Sequence, residues 1–95
     1  MEVKILTLHP DPAKAGLNIS KEKYEVIRDA ILTILKSKDE MLFKDLAGEV
    51  EKIIESGFDG SISWYVTTVK LDLEARRVIE RVHSMSPQRL RIKGL

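Results

Sequence analysis

The chain has 95 residues, 43% of them hydrophobic and 33% charged, with 16 Lys/Arg against 15 Asp/Glu. That length suits one domain, with enough apolar content for a packed core and too much for a disordered polymer. The lack of cysteine excludes a disulfide scaffold, a thiolate zinc site and a cysteine nucleophile, and no apolar run nears the ~18–20 residues of a membrane span.

Met1-Glu2-Val3-Lys4-Ile5 interleaves charges with hydrophobes, unlike a secretory leader, so a small soluble cytoplasmic domain is expected. Residues 2–8 are short and β-rich and predict a strand. Two prolines in His9-Pro10-Asp11-Pro12 remove donors and fix φ, so residues 9–19 are expected as a loop. Ser20 is the expected N-cap of a helix to about Lys36. Its face is Tyr24, Ile27, Ile31, Ile34 and Leu35, at steps of three and four. Ser37-Lys38-Asp39-Glu40 ends it, and Met41-Leu42-Phe43 predicts an extended piece. A second helix follows with Leu46, Val50, Ile53 and Ile54 inward, stopped by Ser56-Gly57. Small Ala47 and Gly48 suit a close helix crossing. After Phe58-Asp59-Gly60-Ser61, a third helix runs from Ile62 to about Arg76, with Ile62, Val66, Val69 and Leu73 on one stripe. Val78 to His83 and Gln88 to Ile92 predict two strands, joined by the turn Ser84-Met85-Ser86-Pro87.

Helix, short strand, helix, turn, helix and hairpin is the order of a winged helix-turn-helix. The expected fold is α+β: a three-helix winged helix-turn-helix with a C-terminal β-hairpin wing and an additional N-terminal strand. Residues 1–19 form the strand and loop, 20–76 the three-helix core and 77–95 the wing of one domain. Val66 to Arg81, VTTVKLDLEARRVIER, resembles a winged-helix recognition helix running into its first wing strand. Leu73, Glu74, Val78, Ile79, Glu80 and Arg81 carry that likeness. Arg77 stands where the pattern usually has glycine, at a helix end that favours φ > 0. HPDPAKAG..IS..KY, FDGSISWYVTTVKLDLEAR and SPQRLR make nearly the whole chain similar to a small family of uncharacterised winged-helix proteins. The resemblance implies a fold and brings no active site.

Charge is unevenly spread. Residues 1–75 hold ten Lys/Arg and fourteen Asp/Glu, whereas residues 76–95 hold six Lys/Arg and one acid, Glu80. A basic C-terminal quarter on an acidic body suits nucleic acid, an acidic protein or anionic lipid, or simply a solvated sheet face. In the expected wing, Arg89, Arg91 and Lys93 alternate along one face about 7 Å apart, and Arg81 joins them from the neighbouring strand. Such a row would anchor phosphates without reading sequence. On the third helix, Ser63, Thr67, Thr68 and Lys70 are the expected contacts to double-stranded DNA. The same helix has no arginine before Arg76, and Trp64 and Leu71 make its outer side apolar. Those two residues point instead to a protein partner, a homodimer, or cover from the N-terminal strand and loop.

Other chemistry finds little support. A metal site at His9 with Asp11, or at His83, is disfavoured, because a proline-bounded His-Pro-Asp suits a turn. Carboxylate pairs Glu49/Glu51 and Asp72/Glu74 are expected on solvated helix faces. Gly57 and Gly60 are too few for a phosphate loop. No cofactor and no enzymatic role are expected.

Overall fold

The stripe of Tyr24, Ile27, Ile31, Ile34 and Leu35 is the buried face of α1 (Lys21–Lys38). Ser20 caps it: its Oγ accepts the Lys23 N–H at 3.3 Å. Glu22 near its start and Lys36 and Lys38 near its end complement the helix dipole. The computed structural model describes residues 3–54, 57–82 and 87–94. Glu2, Ser56, His83 and the Ser84–Ser86 part of the expected wing turn lie outside them.

Three-residue strands flank α1. Upstream, β1 (Lys4–Leu6) pairs antiparallel with β2 (Asn18–Ser20), with Ile5 opposite Ile19. β2 takes its first two residues from the segment expected to be loop and its third, Ser20, is the helix cap. Its pairing is long-range in sequence, and three residues give alternation no room to show. Downstream come β3 (Glu40–Leu42) and α2 (Phe43–Ile53), which buries Leu46 and Val50. Ile53, expected inward, is exposed in the last position of α2, while Ile54 packs partly on the core.

α3 (Ile62–Ala75) starts at Ser61, whose Oγ accepts the Trp64 N–H at 3.1 Å. Val66, Val69 and Leu73 are its buried apolar stripe, and α1 packs across them. Its end is a Schellman motif: Arg77 N–H donates to the Glu74 carbonyl at 3.0 Å and Val78 N–H to the Leu73 carbonyl at 2.9 Å. Arg77 adopts φ 62°, the left-handed conformation for which glycine is favoured at that position.

β4 (Ile79–Arg81) and β5 (Arg89–Ile92) form the hairpin after the helices. The three-stranded sheet has the order β3-β5-β4, all antiparallel. Leu90 and Ile79 turn inward and join Ile27, Ile31 and Leu35 in one buried core. The molecule is α+β, with three helices, a C-terminal hairpin in a three-stranded sheet and an added N-terminal ribbon.

Candidate nucleic-acid interface and the adjoining groove

The outer side of α3 is open only along its first half. Ser63, Trp64 and Thr67 are exposed there, and Thr67 Oγ1 donates to the Ser63 carbonyl at 3.1 Å. Further along, Thr68 and Leu71 are half-buried. Thr7, Leu8, Gly16 and Leu17 of the N-terminal segment lie over them around a hollow of about 70 Å³. A Cβ on Gly16 would sit 1.5 Å from the Thr7 carbonyl oxygen, so only glycine lets the two arms of this segment close.

Lys70 is not on the open face. It is 2% exposed, its ammonium lies 3.1 Å from Glu74 and 4.6 Å from the centre of the Phe43 ring. Burial pushes its pKa down, and Glu74 pulls it partly back. At 100° per residue Lys70 falls between the core stripe and the open face, and α2 covers that flank through Phe43.

Asp72 is also buried, at 0% exposure, and Glu74 is nearly so; neither is the solvated carboxylate that the helical wheel predicts. Asp72 accepts from the Leu8 N–H at 2.8 Å, from Arg76 Nε at 2.9 Å and from the Tyr24 hydroxyl. One carboxylate thereby joins the N-terminal segment, α1 and α3. Burial, then the hydrogen bond to Asp72, pushes the Tyr24 phenol up to about 12. The hydrogen bond to Asp72 also raises the Arg76 pKa.

The wing cations divide between faces. Glu80 lies opposite Arg91 and Arg81 opposite Leu90, so Arg81 is not in the row with Arg89 and Arg91. It reaches toward α3, with Nε 3.4 Å from Glu74. On the outer face Arg91 Nε bonds Glu80 at 2.7 Å, and Arg89 lies 3.6 Å from Glu40. Register explains both pairs, since Glu40 and Glu80 flank Arg91 on either side strand.

Between the end of α3, β4 and the His9 loop lies an open groove of about 490 Å³. Arg77, Arg81 and Lys93 line it, together with His9 and Leu71. Neither Arg77 nor Lys93 has an ion-pair partner among the described residues. Sequence reasoning missed Arg77 as a site residue. Its one available signal was the departure from glycine at the helix end.

Residues 4–90 match the model of a family of unknown function, DUF6958. The chain belongs to that family. No curated protein and no solved structure matches it.

This DUF6958 chain has a second surface feature at the start of α3. Trp64, 46% exposed, stands edge-on to Tyr65 at 4.9 Å between ring centres, and Tyr65 stands likewise to Phe58 at 5.3 Å. The Lys23 ammonium lies 5.5 Å from the Tyr65 ring centre and 3.7 Å from Asp59. His9 makes a local turn, its Nδ1 accepting the Asp11 N–H at 3.0 Å. Among the described residues no three His, Asp or Glu side chains gather as a metal set. Among them, too, no helix is long and apolar enough to cross a membrane.

Proposed function

We propose that this chain is a nucleic-acid-binding protein related to the winged helix-turn-helix superfamily, transcription-regulator-like, acting in the cytoplasm on double-stranded DNA. Its role is binding, without catalysis or a cofactor. The observation that carries this reading is the open first half of α3, where Ser63 and Thr67 are exposed, on a helix that leads into the β3-β5-β4 sheet. Recognition helices offer such N-terminal positions to the major groove. Hydroxyls without arginine give few base-specific bonds, so phosphate contacts supply most of the affinity. Arg89 and Arg91 join those contacts by exchanging Glu40 and Glu80 for phosphates. Exposed ion pairs are worth only about 0–1 kcal/mol, so the exchange is inexpensive.

The test is fluorescence anisotropy of a labelled duplex with Ser63→Asp/Thr67→Asp. Two carboxylates set against phosphates weaken binding by about tenfold or more, about 1.4 kcal/mol. Unchanged affinity of a folded double variant contradicts α3 as the contact surface.

A second reading rests on Trp64. A half-exposed tryptophan braced by Tyr65 has the character of an interface anchor. On that reading the Trp64 side meets a protein partner or a second copy, without Leu71, which lies under the N-terminal segment, and the wing charges meet an acidic surface. Sedimentation separates the readings: a dimer that Trp64→Ala dissociates supports the second, and a monomer at all concentrations removes the homodimer form of it.

A further inference from the structure

We propose that the groove between the end of α3 and β4 is a phosphate-binding site, held by Arg77 and Lys93, with Arg81 and His9 beside them. The inference goes beyond the nucleic-acid reading, because the same phosphate chemistry belongs to a DNA backbone and to a phosphorylated small molecule.

Three observations converge. The first is charge. Arg77 and Lys93 line the groove and have no carboxylate partner among the described residues. Of the acids on its walls, Glu74 is paired with Lys70 and Arg81 and Glu80 with Arg91, while Asp11 accepts the Ala13 N–H and keeps its charge. The groove therefore holds two unpaired cations, Arg77 and Lys93, and a third, Arg81, that Glu74 only shares, against one unpaired carboxylate, Asp11. An arginine fork beside a lysine point charge is a phosphate-recognising pair.

The second is backbone conformation. Arg77 sits at φ 62°, at the C′ position of a Schellman motif, where glycine fits without strain. An arginine there gives the helix end nothing that glycine would not give. Its side chain reaches the groove, and strain of this kind gathers at ligand sites.

The third is donor geometry. His9 Nδ1 already accepts the Asp11 N–H, so the neutral ring holds its proton on Nε2. His9 thus adds a hydrogen-bond donor to the lining of the same groove as Arg77.

The experiment uses the full chain, Arg77→Gly and Lys93→Ala. Sodium phosphate is titrated against sodium chloride at matched ionic strength and followed by backbone amide NMR. A labelled duplex is titrated in parallel by anisotropy. Arg77→Gly suits the positive φ and keeps the fold, so a loss of binding is not a loss of structure. Saturable phosphate shifts at Arg77, Lys93 and His9, weakened about tenfold in both variants, support the site. If each variant also lowers the salt slope of duplex binding by about 0.9, the source is the nucleic-acid backbone. If duplex binding is absent while phosphate binding stands, the source is a small phosphorylated ligand, and only the nucleic-acid reading fails. Duplex binding that both variants leave unchanged, with no saturable phosphate shift, overturns the site and spares that reading. Binding of neither probe by the wild type overturns both.

Discussion

The Asp72 carboxylate accepts the Leu8 N–H at 2.8 Å, across 64 residues of sequence. This bond makes the N-terminal segment part of the α3 surface rather than an appendage. Arg76 strengthens it by donating to both Asp72 and the Leu6 carbonyl. Asp72→Asn removes the charge that faces Arg76 and Tyr24. The Arg76 side chain is 39% exposed, so the change weakens hydrogen bonds to a buried charged group without stranding a buried cation, at a cost of about 1.5–3 kcal/mol. Urea unfolding measures it, and hydrogen exchange at the Leu8 amide should accelerate with it. A cost under about 1 kcal/mol would mean the bond does not hold the segment.

The apolar stripes of α1 and α3 were legible because burial of one helix face writes a period near 3.6 into the sequence. Ser20 was legible as a cap for a similarly local reason. What was not legible depends on partners far along the chain. Asp72 and Lys70 look like surface residues on a wheel, and only Leu8, Tyr24 and Phe43 make them interior. Arg81 lies on the other face because the β4–β5 register pairs it with Leu90. Of the expected site residues, Ser63, Thr67 and Trp64 are exposed, whereas Lys70 is not.

Gly16 tests the same segment from its far arm. A methyl group there meets the Thr7 carbonyl at 1.5 Å, so Gly16→Ala forces the two arms apart. Overpacking of this kind costs about 1–3 kcal/mol. The expected result is loss of the Thr7 and Leu17 hydrogen bonds with the helices intact. Amide exchange at Thr7 and Leu17 checks it, and full protection in the variant would contradict the packing.

Tyr24 predicts an alkaline limit. Its phenol ionises near 10.0 when unfolded and at about 12 when folded. Between those values the unfolded chain releases a proton that the folded one keeps. Stability is therefore intact below pH 10 and falls as pH rises toward 12, by at most about 3 kcal/mol. Buried Lys70 works in the opposite sense, relieving its own cost as pH rises to its unfolded 10.5, so the Tyr24 loss is read above that pH. In Tyr24→Phe the fall in stability over this range should flatten. An equal fall in both proteins would assign it to other groups.

Arg77→Gly should raise stability. The left-handed backbone at φ 62° costs an L-residue about 1–2 kcal/mol, against about 0.5–1 kcal/mol of extra unfolded-state entropy for glycine. The net gain is at most about 1.5 kcal/mol, with each 1 kcal/mol worth about 4–8 °C in Tm. Thermal unfolding followed by circular dichroism checks it. A lower Tm would show that the arginine side chain contributes to the fold rather than to the groove.

The central claim is that this surface binds nucleic acid through phosphates, and salt dependence tests it most directly. Purified protein is titrated into a labelled duplex of arbitrary sequence at about 50 and 200 mM salt, followed by anisotropy. The account predicts binding with a log–log salt slope between about −1.8 and −3.6, from two to four phosphates at about −0.9 each. No binding at the lower salt, or affinity indifferent to salt, would contradict it.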